Sequence, residues 1–209
     1  MDNQDEKTML LLGIFVSGLV LANILGTKIT SLFGISVSVA IFAYPLTFLC
    51  TDIVEEVRGK AVTMRFVKAG IIALVLTFLL VWVSISLSPH PRFENNDSYV
   101  TVFSSSLRMI LASLIGFALS QTHDVWAFAF LKKKTKGRFL WLRNTLSTSV
   151  SQLIDTTVFM FIAFYQVSPK FTAPFIISLI VPYWLFKVLF AALDTPLVYL
   201  GVKWFKGKG

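Results

Sequence analysis

Ser151-Gln152-Leu153-Ile154-Asp155 stands inside an apolar run covering 146–166, and the same pattern, Ser120-Gln121-Thr122-His123-Asp124, stands inside another covering 104–131. Each run reaches the roughly 20 residues that a helix needs to cross a bilayer. An ionisable side chain at the bilayer centre costs about 2.5–3.5 kcal/mol on insertion scales, so such a residue faces a protein interior and has work there. Gln and Asp three apart share one face of a helix, which sets an amide beside a carboxylate. That combination suits a planar, hydrogen-bonding solute better than an ion or a lipid, and it points to a small-molecule transporter.

The remainder of the chain has the same character. Of 209 residues, 56% are hydrophobic and only 14% charged, and the mean hydropathy is +0.75. This is the composition of a polytopic membrane protein rather than a soluble domain. Apolar runs predict six spans, at about 9–29, 33–53, 66–87, 104–131, 146–166 and 171–201, joined by short connections. The expected architecture is an all-α, six-helix transmembrane bundle forming one integral-membrane domain over 1–209. Pro45 falls in span two, and Pro182 and Pro196 mark kink sites in span six. The acidic start, Met1-Asp2-Asn3-Gln4-Asp5-Glu6, with no small-residue cleavage site after the first apolar run, does not read as a cleaved signal peptide.

The basic residues orient the spans. Lys7, then Arg58, Lys60, Arg65 and Lys68, then Lys132, Lys133, Lys134, Lys136, Arg138 and Arg143, and finally Lys203, Lys206 and Lys208 all fall on one face. The other face has Lys28, Arg92 and Lys170, and Arg108 and Lys187 lie within spans. The positive-inside rule puts both termini in the cytoplasm. The net charge of +8 is therefore a topology signal with some affinity for anionic lipid, and no direct nucleic-acid binding is expected.

Spans four and five run in opposite directions, so the two Ser-Gln-x-x-Asp copies sit on antiparallel helices, a layout known from transporters with inverted repeats. Lys187 lies midway along span six, where it can neutralise Asp155 or Asp124 or exchange partners when a substrate arrives. Asp194 is a further carboxylate nearer the cytoplasmic edge. Asn23, in span one, is costly to leave unpaired in hydrocarbon and must meet a helix or a ligand. Asp52, near the end of span two, has no basic partner one turn before it and is, with Asp194, a candidate for a gate or proton carrier. Glu55–Arg58 and Glu56–Lys60 are spaced for ordinary salt bridges on a helix surface. The single Cys50 excludes an internal disulfide, and His123 beside Asp124 is a weak metal signal, because neighbouring positions diverge on a helix. No phosphate-binding loop, catalytic triad or zinc-hydrolase pattern is present in the sequence, so neither an enzyme nor a resident cofactor is expected.

Read together, Ala22-Asn23, the run Tyr44-Pro45-Leu46-Thr47-Phe48-Leu49-Cys50-Thr51-Asp52, Gly59-Lys60, Arg108, Gln121 with Asp124, Arg143-Asn144-Thr145-Leu146-Ser147-Thr148, Ser151–Thr156 leading into Phe161-Ile162-Ala163-Phe164, and Phe186-Lys187-Val188-Leu189 with Pro196 resemble the queuosine precursor transporter family, also called the vitamin uptake transporter family. The resemblance implies a six-helix inner-membrane protein that imports 7-deazaguanine precursors of queuosine, such as 7-cyano-7-deazaguanine, for tRNA modification. On that reading Gln121, Asp124, Gln152 and Asp155 form the polar core of the substrate site, with Asn23 and Lys187 completing or balancing it. A carboxylate can accept both the ring N–H and the exocyclic amine of such a base, and a Gln amide can serve its carbonyl. Phe159, Phe161, Trp126, Tyr183 and Trp184 supply rings that could stack on it. The partners implied are a purine-like solute and membrane lipid, with self-association left open. A substrate-binding subunit energised by a separate complex, a membrane enzyme and a purely structural subunit are the rival readings. The orientation is testable: a reporter fused after Gly209 should read cytoplasmic and one in the 88–99 connection external, and an external reporter within 132–138 would refute it.

Overall fold

The computed structural model describes residues 3–32, 35–136, 140–193 and 195–207. Seven α-helices account for most of them: α1 (Asn3–Leu25), α2 (Tyr44–Arg58), α3 (Lys60–Ser86), α4 (Asn96–Lys134), α5 (Leu140–Phe164), α6 (Ala173–Leu193) and α7 (Thr195–Lys206). Among the described residues, Asn3–Leu25, Ala61–Ser86 and Asn96–Ser120 are long and apolar enough to cross a membrane, and Ser149–Phe164 and Ala173–Lys187 are shorter apolar helices. At about 1.5 Å per residue, α4 is about 58 Å long, well beyond a hydrocarbon layer of about 30 Å. Along α3 the large side chains Ile72, Leu76, Leu80 and Trp82 are exposed, as suits a surface whose solvent is lipid.

The all-helical expectation needs one correction. Strands β1 (Ile29–Leu32) and β2 (Ile35–Ser38) pair antiparallel, Ile29 opposite Ser38 and Leu32 opposite Ile35. These strands lie on either side of residue 33, where a second span was expected to begin. Ile35 and Val37 are β-branched and alternate with Ser36 and Ser38 in β2, a pattern that favours a pleated strand over a helix. Ser38 then ends the strand: its hydroxyl donates to the Gly26 carbonyl at 2.6 Å and accepts from Ala40 N–H at 3.2 Å, starting a 3-10 turn over Val39–Phe42. Helix α2 begins only at Tyr44 because Pro45, lacking an N–H, fits the first turn and not a helix interior. The expected sixth span, 171–201, is likewise carried by two helices. Pro196 stands in the first turn of α7 for the same reason, whereas Pro182 is accommodated within α6.

The described residues group into two compact units, one of residues 1–110 with 188–209, the other of residues 111–187. In the first, α1 packs on α2 and α3, and α2 also packs on α7. Its core is Leu11, Phe15, Cys50, Ile53, Val54, Phe66 and Phe205, with the Phe15 and Phe66 rings 5.9 Å apart. Gly201 lets α7 close on this core, since a Cβ there would overlap the Ile53 side chain. The ends of the unit are pinned by charge. Lys7 donates to the carbonyls of Trp204 (2.9 Å) and Phe205 (3.2 Å) in the last turn of α7, where the helix dipole favours a cation. Arg58 pairs with Asp5 of α1 at 2.6 Å, so the expected local pair with Glu55 gives way to a contact between helices. The side chain of Lys60 lies outside the described residues.

Gly201 generates a direct test. Gly201→Val should lower the melting temperature in detergent, by an overpacking cost of about 1–3 kcal/mol, and Gly201→Ala by less. An unchanged melt for the valine variant would refute the close approach of α7 to α2.

Candidate functional site

The polar residues of the second unit converge on one stretch of α5. Gln152 and Asp155 lie three apart on that helix, half-buried, and Lys187 Nζ donates to Asp155 Oδ2 at 2.9 Å. Two opposite charges at this distance within apolar helices attract strongly, because little water screens them. Their side chains retain 20% and 24% of their exposure for Lys187 and Asp155 respectively, so the pair is sheltered without being sealed. The ion pair expected between Lys187 and a buried carboxylate thus forms with Asp155.

Three further features hold this cluster. Helix α4 lies close to Asp155 at Gly116, where a Cβ would stand 3.1 Å from Asp155 Oδ1 and 3.3 Å from its carbonyl. Farther along the same helix, His123 Nδ1 and Ser151 Oγ are hydrogen-bonded at 3.0 Å. From α6, Trp184 Nε1 donates to the Ser149 carbonyl at 3.2 Å. Gly116, Ser120 and His123 recur at helical spacing on α4, and Ser120 and Ser151 are both buried. Gly116-x-x-x-Ser120 is a small-residue pattern of the kind that lets membrane helices approach. That signal is readable in the sequence, whereas His123 reads there only as a weak metal ligand. Trp184 is engaged in tying α6 to α5, and Trp126 is exposed and stacked on Phe130 at 5.5 Å.

The other expected site residues are distributed as follows. Gln121 and Asp124 lie on α4, with side chains outside the described residues, and Asp194 lies outside them altogether. Asn23 belongs to the first unit, 1% exposed, its amide donating to the Leu19 carbonyl of its own helix at 2.9 Å. Asp52 is exposed on α2 in the same unit. A separate hollow of about 450 Å³ lies at the turn between α5 and α6, lined by Tyr165, Gln166, Pro169 and Phe171 among others. It contains none of the residues of the polar cluster.

Chemically, the cluster offers a carboxylate, an ammonium and a primary amide within apolar helices, a set able to hold a neutral polar solute by directed hydrogen bonds. It has neither an activated nucleophile nor a set of metal ligands among the described residues. Residues 38–201 match the family described as "putative vitamin uptake transporter". The chain belongs to this family. Among its relatives, the "probable queuosine precursor transporter" of Bacillus subtilis (strain 168) is 31% identical over 197 residues, covering 92% of this chain and 84% of that protein. The "queuosine precursor transporter" of Escherichia coli (strain K12) is 28% identical over 159 residues, or 76% and 69% of the two chains. That of Haemophilus influenzae, named "probable queuosine precursor transporter", is 27% identical over 131 residues, or 62% and 53%. No solved structure matches. This member of the vitamin uptake transporter family is a membrane protein, and its cluster from Gly116 to Lys187 lies wholly within the matched segment.

The ion pair can be measured by a double-mutant cycle. Lys187→Met should destabilise the protein by leaving a sheltered carboxylate unpaired; a fully buried pair would lose about 3–5 kcal/mol, and this partly exposed one less. Asp155→Asn with Lys187→Met should recover most of the loss in a detergent melt. Strict additivity of the two losses would rule out the pairing.

Proposed function

We propose that this protein is a transporter importing queuosine precursors, 7-deazaguanine bases such as 7-cyano-7-deazaguanine, into the cytoplasm across the inner membrane. The proposal takes the chain as a single transporter domain of six spans with both termini cytoplasmic. The observation that carries it is the Gln152–Asp155–Lys187 cluster within apolar helices of a chain whose relatives are named for these precursors. In this reading Asp155 accepts N–H groups of the base, and Gln152 donates to or accepts from its edge. Gln121 and Asp124 supply the matching pair from α4. Asp52 and Asp194 act as gate or proton-carrying groups.

The geometry favours this over a purely structural role. Helix glue is already provided by the His123–Ser151 and Trp184–Ser149 hydrogen bonds. Gln152, by contrast, makes no side-chain hydrogen bond with a described residue although it lies in an apolar helix. A primary amide without a partner among the described residues in that setting is served by water or a solute at lower cost than it would be left alone.

Proteoliposomes containing the purified protein should accumulate labelled 7-cyano-7-deazaguanine, and unlabelled guanine-type deazapurines should compete. Asp155→Asn should fold and insert but bind about 10- to 100-fold more weakly, the loss of a charge-assisted hydrogen bond being worth about 1.5–3 kcal/mol. Normal uptake by that variant would return the Gln-Asp pair to helix packing, and absence of uptake by the wild type would refute the proposal.

A further inference from the structure

Among the described residues, the ion pair leaves much of its hydrogen-bonding capacity unspent. Lys187 Nζ has three N–H donors, of which one goes to Asp155 Oδ2. Asp155 Oδ1 accepts no hydrogen bond from a described residue. The α4 residue beside it is Gly116, where a Cβ would stand 3.1 Å from this oxygen. One turn earlier on α5, the Gln152 amide is also without a described partner. A carboxylate oxygen without a described donor therefore lies beside ammonium N–H groups without a described acceptor, an acceptor next to a donor.

That order has a chemical complement. A lactam edge presents N–H beside C=O, so its N–H meets a carboxylate while its carbonyl meets an ammonium. A 2-amino-6-oxo purine adds a second N–H on the carboxylate side. A 6-amino purine reverses the order, setting a bare ring nitrogen against the carboxylate and an amine against the ammonium, so that both contacts are repulsive. We infer that Asp155 and Lys187 together read the 2-amino-6-oxo edge of the solute, Oδ1 accepting its N–H groups and Lys187 donating to its carbonyl while still holding Oδ2. Lys187 is then a specificity-determining residue as well as a counter-charge. This inference rests on the proposed transport of deazaguanines and adds which atoms choose among purines.

The test is competitive binding to the purified protein in detergent, with labelled 7-cyano-7-deazaguanine displaced by 7-deazaguanine, 7-deazahypoxanthine or 7-deazaadenine. Relative to 7-deazaguanine, 7-deazahypoxanthine, lacking the 2-amine, should bind about tenfold more weakly. The edge-reversed 7-deazaadenine should bind at least about a hundredfold more weakly, because sites built on directed hydrogen bonds reject mismatched partners strongly. Lys187→Met should narrow the gap between 7-deazaguanine and 7-deazaadenine to about tenfold. The charge-balanced double variant Asp155→Asn with Lys187→Met, which does not depend on the single variant folding, should nearly abolish it. Wild-type protein that binds the labelled base yet takes 7-deazaadenine equally well overturns the edge reading and leaves the transport function standing. A full gap retained by the double variant does the same. Failure to bind any of the deazapurines overturns both.

Discussion

A carboxylate cannot stand alone among apolar helices, and at Asp155 the requirement is met by Lys187, 2.9 Å away. Much of the second unit is arranged around that demand. Helix α6 must present Lys187 to α5 in register, and the Trp184 hydrogen bond to the Ser149 carbonyl sets that register a turn away. Helix α4 must come close to the carboxylate, which Gly116 allows. Because the helices are apolar around most of their circumference, hydrophobicity alone does not choose which faces meet. The few polar contacts do, as is usual where the surrounding solvent is as greasy as the side chains.

The same logic governs the first unit in a different form. There the polar contacts gather at the ends of helices, where Lys7, Asp5 and Arg58 join α1 to α7 and α2. Between those pins the core is tight apolar packing, with Phe15 against Phe66 and Gly201 against Ile53. Serine hydroxyls satisfy the carbonyls freed where α1 stops: Ser38 takes that of Gly26 and Ser106 that of Ile24. Without those donors the chain could not leave a helix and enter a hairpin at that point, since freed backbone carbonyls must find partners away from water.

Features carried by composition and single residues are legible in the sequence. Apolar runs mark the long helices, and an ionisable residue within an apolar run, as at Asp155 and Lys187, demands a partner by its position alone. Features that depend on neighbours distant in the chain are harder to read. Arg58 lies one turn from Glu55, but its partner is Asp5, 53 residues away, and no local spacing rule encodes that choice. The hairpin over 29–38 reads as the start of a span when hydrophobicity is counted and alternation is not. Pro45 nonetheless indicates where the helix must begin. The hydrogen bond between His123 and Ser151 is encoded in neither helix alone, because it depends on how α4 crosses α5.

The two units also differ in how the chain is spent on them. Residues 111–187 are contiguous, whereas the first unit draws on segments on either side of them and is fastened by Lys7 to carbonyls 197 residues later. During synthesis the N-terminal helix must therefore wait, inserted but unlatched, until the segment from 188 onward has left the ribosome, while the middle of the chain already has every residue its own unit needs. Loss of even the final turn of α7 would strand Lys7 without its carbonyls. Completion of this part of the fold thus reports that translation has passed Phe205.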